Sequence, residues 1–110
     1  IIPNRVYRKR MCTMEEKARY YTLHAYFTGM VQGVGFRFFA INRARRYGIT
    51  GWVKNLYDGR VEILAEGKRP ELIMFLEDIR IGTPSGHVSK VIEEWHESSA
   101  PRYKSFNVVF

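Results

Sequence analysis

The sequence predicts an α+β sandwich: one antiparallel sheet, two helices on one of its faces and a short C-terminal strand. Three observations predict it. Two segments carry apolar residues at helical spacing, and the rest divide into short β-prone runs separated by glycine-rich turns. The segments alternate in the order strand, helix, strand, strand, helix, strand. The 110 residues, 45% hydrophobic and 15% aromatic, suffice for one core and leave no room for a second.

Residues 21–28, Tyr-Thr-Leu-His-Ala-Tyr-Phe-Thr, are aromatic and β-prone and read as the first strand. Residues 29–35 hold three glycines and read as a loop. Residues 36–47 read as a helix, with Phe36, Ala40, Ala44 and Tyr47 on one stripe. Asn42, Arg45 and Arg46 face away, and Arg43, Arg45 and Arg46 are expected to form a solvated basic face. Gly48 stops this helix.

A second strand follows over residues 50–56 and a third over residues 60–66. Asp58-Gly59 is the tight turn of the hairpin they form. In the third strand Val61, Ile63 and Ala65 alternate with Glu62, Leu64 and Glu66. The second helix starts near Arg69, with Pro70 in its first turn. Leu72, Phe75, Leu76 and Ile79 keep the i, i+3, i+4, i+7 spacing of a core face, and Gly82 and Pro84 end it. Residues 87–97 read as a fourth strand and residues 105–110 as a short last one. This order is the split βαβ, or ferredoxin-like, pattern. The domain is expected over residues 21–110. Residues 1–20 are expected to be an N-terminal extension, flexible or upstream of the domain, with Met11 and Met14 as candidate starts.

Charge and cysteine content exclude several classes. The net charge is +7, but residues 1–21 hold six basic and two acidic residues, so the body is only mildly basic. Such a body suits a small anion as well as a polynucleotide. The single cysteine, Cys12, excludes an internal disulfide and a cysteine-rich zinc site, and fits a reducing cytoplasm. His24, His87 and His96 share no spacing that would hold a metal. The longest apolar run in the body, residues 72–76, is far short of the roughly 20 residues that span a bilayer. The basic N-terminus has no apolar stretch behind it and does not read as a secretory signal.

The chemistry concentrates in residues 29–37, Gly-Met-Val-Gln-Gly-Val-Gly-Phe-Arg, which join the first strand to the first helix. Glycines let a loop turn sharply and present successive N–H groups. A helix start adds free N–H groups and a partial positive charge. Together they form a cradle for an oxyanion such as phosphate. Arg37 stands in the first turn, where the helix dipole disfavours a cation. A phosphate between cradle and guanidinium supplies a reason for it. The mononucleotide and dinucleotide phosphate motifs do not fit: Gly33 and Gly35 are followed by Phe38 where a third glycine would stand.

The run Val31-Gln32-Gly33-Val34-Gly35-Phe36-Arg37 resembles the first signature of the acylphosphatase family. The run Gly51-Trp52-Val53-Lys54-Asn55-Leu56-Tyr57-Asp58-Gly59-Arg60-Val61-Glu62 resembles the second, in the right order and at the family's spacing. Gly82-Thr83-Pro84 stands where the family often has Gly-Pro-Pro, and the resemblance covers about residues 21–110. It implies hydrolysis of an acyl phosphate to a carboxylate and inorganic phosphate, without metal or cofactor. It implies that Arg37 binds the phosphoryl group with the backbone amides of Gln32, Gly33, Val34, Gly35, Phe36 and Arg37, and that Asn55 holds the attacking water.

That chemistry is consistent with the residues. Asn55 takes no proton at neutral pH but orients a water. The departing carboxylate has a pKa of about 4 and leaves without a general acid. Positioning and charge stabilisation carry most of phosphoryl transfer. Trp52 is expected to be a sheet-face or core aromatic, and Asp58 a turn residue rather than a catalytic carboxylate. The expected partners are a small acyl phosphate and competing anions such as inorganic phosphate, with no specific nucleic acid and no membrane. The expected state is a cytoplasmic monomer.

Three alternatives compete. An RNA-binding module shares the topology, and Gly33, Gly35, Phe36 and Phe39 match part of its aromatic consensus, while Gln32, Val34 and Arg37 do not. That consensus lies on a strand; here it opens a helix, which turns the rings inward. A domain of a large hydrogenase-maturing carbamoyl transferase is the second; no zinc-finger region follows Phe110, so a free-standing domain is expected. A degenerate, non-catalytic phosphate binder is the third, and Arg37 and Asn55 argue against it.

Overall fold

Backbone pairing lengthens the first strand at both ends relative to its aromatic run, and the rest of the architecture grows from it. A computed structural model describes residues 19–110; the extension expected over residues 1–20, Cys12 included, lies outside the described residues except for Arg19 and Tyr20. The elements are β1 (Tyr20–Met30), α1 (Phe36–Arg46), β2 (Thr50–Asn55), β3 (Val61–Lys68), α2 (Arg69–Ile81), β4 (His87–Ser98) and β5 (Phe106–Val109). The sheet order is β4-β1-β3-β2-β5. β5 runs parallel to β2, and the other pairs are antiparallel.

Tyr20 pairs with Lys68 on one side and Ser98 on the other, so β1 begins one residue before the expected boundary. At its far end Gly29 and Met30 pair with Val88 and His87 past a bulge at Thr28/Gly29. The glycine-rich loop is therefore shorter than its composition suggests: Gly29 and Met30 belong to the strand, and residues 31–35 make the connection. The remaining element limits move by one or two residues, as at β2, which stops at Asn55, and β3, which runs on to Lys68.

The core forms where the predicted stripes meet the sheet. Leu23, Ala25 and Phe27 of β1 and Val61, Ile63 and Ala65 of β3 are buried beneath Phe36, Ala40 and Ala44 of α1 and Leu72, Phe75, Leu76 and Ile79 of α2. The rings of Phe27 and Phe36 lie 5.7 Å apart and those of Phe75 and Phe106 lie 5.9 Å apart, which fastens α1 to β1 and α2 to β5. Tyr47, expected on the apolar stripe, packs half-buried against the core as the C-cap of α1, and its hydroxyl donates to Asp78 Oδ2 at 2.6 Å. That bond holds its phenol above the usual pKa.

Burial extends to the second face of β3, and one expectation about a solvated helix face is corrected. Leu64 and Glu66, which alternate with the core set of β3, are buried as well. The connection from β4 to β5 folds over their face, and the backbone N–H groups of Arg102 and Tyr103 donate to the Glu66 carboxylate at 2.9 and 3.1 Å. Of the three arginines expected in water, Arg45 and Arg46 are exposed. Arg43 is not: it pairs with Asp78 at 3.4 Å and lies over the Phe39 ring at 4.9 Å, which binds α1 to α2. Trp52 sits on the sheet face as expected, its indole N–H donating to the Tyr103 hydroxyl.

Candidate active site

The strand directions bring the end of β1, the start of α1, the end of β2 and the end of β5 to one end of the sheet. A cleft of about 270 Å³ opens there, lined by Gly33, Gly35, Phe36, Arg37, Asn55 and Phe110 among others. Gly33 and Gly35 both have φ of 75°. A side chain at either would have free space but a strained backbone, so the conformation and not crowding requires glycine. Gly35 is the N-cap of α1 and supplies no side-chain cap, nor does the first turn carry an acidic residue. The first N–H groups of the helix thus meet the cleft without an internal acceptor from either source.

Arg37 is half-buried at the cleft and forms no ion pair among the described residues. Its guanidinium lies 5.4 Å from the centre of the Phe110 ring. Asn55, the last residue of β2, reaches the same cleft from the other side. Its Oδ1 is buried with no hydrogen-bond partner. An unmet buried acceptor costs about 1–3 kcal/mol, so this carboxamide awaits a donor. A lone cation, a helix start and an unmet carboxamide can together bind a small oxyanion and order one water.

The structure brings together Gly33, Gly35, Phe36, Arg37 and Asn55 of the predicted site. The side chains of Gln32 and Val34 point elsewhere. Gln32 Nε2 donates to the carbonyls of Leu56 and Arg60, both at 2.8 Å. The cradle loop is thereby tied to the turn that follows Asn55. Val34 packs on the core, and its carbonyl accepts from Thr83 Oγ1 at 3.1 Å. Neither strut has a sequence signal, because both depend on loops distant in the chain. The apolar wall was also missed. Phe38 and Ile41 of α1 and Val108 and Phe110 beside β5 line the cleft. The alternation of Phe106, Val108 and Phe110 was the available signal for its β5 half.

The other residues singled out are accounted for structurally. Asp58 accepts from the backbone N–H and the Nε of Arg60, as a turn residue does. Those bonds, the backbone one foremost, hold its carboxyl below the usual value. His24 donates to Glu62 Oε2 at 2.6 Å on the open sheet face, where Tyr26 donates to the same oxygen. Partial burial, then the Glu62 charge, raises the Tyr26 phenol. His87 and His96 are exposed. Phe36 is buried on a helix, not displayed on a strand, so the RNA-binding arrangement is not formed by these residues. No helix among the described residues is long and apolar enough to cross a membrane.

Comparison with known proteins points to one family. The family model described as acylphosphatase matches residues 23–108. An acylphosphatase of Bacillus velezensis is 47% identical over 88 residues, which cover 79% of this chain and 96% of that protein. The crystal structure of an acylphosphatase from Bacillus subtilis superposes with a TM-score of 0.78 at 38% identity, covering 82% of this chain and 99% of that one. An acylphosphatase from Coxiella burnetii gives 0.74 at 34% identity, covering 88% and 100%. With both signature runs meeting at one cleft and nearly the whole of each relative covered, the chain belongs to the acylphosphatase family.

Proposed function

We propose that this chain hydrolyses acyl phosphates to a carboxylate and inorganic phosphate without a metal, using Arg37 to bind the phosphoryl group and Asn55 to hold the attacking water. The observation that carries the reading is the meeting of an unpaired guanidinium and an unpartnered carboxamide oxygen at the N-terminus of α1. The N–H groups of residues 32–37 and the Arg37 fork take the equatorial phosphoryl oxygens. Asn55 aligns a water opposite the leaving group. The water oxygen bonds to phosphorus as the bond from phosphorus to the acyl oxygen breaks, and the carboxylate leaves with that electron pair. The cleft lining carries no carboxylate or imidazole, so the proton of the water passes to a phosphoryl oxygen. Apart from its apolar side chains the lining has one cation, one neutral amide and backbone, and no side-chain carboxylate, imidazole or thiolate to hold a divalent metal, which supports the metal-free reading.

The test is the loss of benzoyl phosphate absorbance in the presence of chelator, for the intact protein beside Asn55→Ala. The expected result is fast hydrolysis by the first and a turnover lower by about 10²–10³-fold in the second. Competition by inorganic phosphate should survive in Asn55→Ala, because the water and not the anion has lost its holder. A rate that needs added metal, or undiminished turnover by the variant, would overturn these roles.

A further inference from the structure

The phosphoryl half of the cleft is polar, and the other half is not. Phe38 and Ile41 stand three residues apart on α1, directly after Arg37. Val108 of β5 and Phe110 just past its end stand two apart and both line the cleft. The register that pairs Lys54 with Val109 brings Phe110 level with Asn55. The Phe110 ring also lies 5.4 Å from the Arg37 guanidinium, so the apolar wall begins beside the residue proposed to hold the phosphoryl group.

The wall is costly unless something covers it. Phe38 is 72% exposed and Phe110 is 93% exposed. Among the described residues, the large apolar side chains more than 60% exposed are Met30, Phe38, Tyr57, Ile81 and Phe110. They sit at the end of β1, the start of α1, the β2–β3 turn, the end of α2 and just past β5, all at the cleft end of the sheet. Single exposed apolar residues need no explanation, but a set at one end of the sheet, two of them lining the cleft, does.

We propose that the site selects acyl phosphates whose acyl group is bulky and apolar, aryl or an alkyl chain of several carbons, and that Phe38 and Phe110 are the residues that select it. The proposal rests on the acyl phosphate reading above and deepens it. A small acyl group such as acetyl offers little apolar surface for either ring to cover. A charged or hydroxylated one loses water against the wall without gaining a partner. A small-molecule occupant is favoured because Phe38, Ile41, Val108 and Phe110 line the cleft itself, within reach of a group attached to the bound phosphoryl.

The experiment compares kcat/KM for benzoyl phosphate and acetyl phosphate in the intact protein, Phe38→Ala and Phe110→Ala, with inorganic phosphate as the competing anion. Both side chains are exposed, so both variants should fold, which circular dichroism checks. The quantity read is the benzoyl-to-acetyl ratio in each variant relative to the intact protein, which cancels the different intrinsic reactivity of the two substrates. It also cancels any disturbance of Arg37, since both substrates need that residue equally. Each variant should lower the ratio about tenfold, the scale set by removing apolar contacts from a specificity pocket. A ratio unchanged in both variants, with turnover intact, overturns the acyl selection alone. No turnover of either substrate by the folded intact protein overturns the hydrolase reading, and this proposal with it.

Discussion

The two ends of the β2–β3 hairpin each shut a polar side-chain oxygen away from water, and they treat it in opposite ways. At one end Thr50 pairs with Glu66, and at the other Asn55 pairs with Val61. The Glu66 side chain is fully buried, and its carboxylate accepts from Thr50 Oγ1 and from the backbone N–H groups of Arg102 and Tyr103. Asn55 Oδ1 is equally shut from bulk water and accepts from nothing. The first arrangement saturates a charge so that a loop stays fixed over the sheet. The second leaves an acceptor unmet beside an unpaired arginine. A saturated buried group is architecture, and an unmet one marks where the fold gives up stability for a ligand.

The sharpest way to break this comparison is at the unsatisfied end. Arg37→Ala should lower kcat by about 10³–10⁵-fold, the range seen when an arginine that neutralises a transferring phosphoryl group is lost. Its phosphate competition should nearly vanish. Its stability should stay within about 0.5 kcal/mol of the intact protein, because the guanidinium holds no ion pair to break. Steady-state kinetics and a denaturant titration read both sides. A loss of less than tenfold in kcat would remove Arg37 from the mechanism.

The saturated end should respond in the reverse sense. Glu66→Ala leaves two backbone N–H groups and the Thr50 hydroxyl without their acceptor. The expected cost is about 2–4 kcal/mol, read as a lower denaturant midpoint at unchanged slope. Glu66→Gln keeps one acceptor oxygen and should cost less. Turnover at temperatures well below unfolding should fall little, since Glu66 faces away from the cleft. A large loss of turnover with stability intact would invert the assignment of the two ends.

The sequence made the elements legible because local chemistry set them: the stripes of α1 and α2, the Asp58-Gly59 turn and the glycines before Arg37 each act within a few residues. It made the acylphosphatase membership legible through two runs whose spacing the fold preserves, and in doing so it nominated Arg37 and Asn55. What stayed hidden depends on contacts across the chain. Glu66 reads as the outward partner of a strand alternation and is buried by residues 36 and 37 positions later. Arg43 reads as a solvated charge and is claimed by Asp78 of the other helix. Gly29 reads as loop and is drawn into β1 by Val88. Phe110 reads as a strand end, and only the parallel pairing of β5 with β2 carries it to Arg37.

The smallest expected effect is the most informative about how the two halves of the site stay in register. Gln32 belongs to the cradle loop by sequence, yet its side chain donates to two carbonyls of the turn after Asn55. It links the loop proposed to hold the anion to the turn that follows the residue proposed to hold the water. Gln32→Ala removes both bonds without touching either functional side chain. The anion should still bind, since Arg37 and the helix start remain, so the inhibition constant for phosphate should move less than about twofold. The water should be less well aligned, and misplacement alone can cost up to about 10²-fold. A fall in kcat of about tenfold is expected, with about 1–2 kcal/mol of stability lost with the two bonds. That split between kcat and phosphate inhibition separates positioning from general loosening, which would weaken both together. Equal loss in the two quantities would mean that Gln32 only holds the loop folded, and that the alignment of Asn55 with Arg37 is set by the sheet alone.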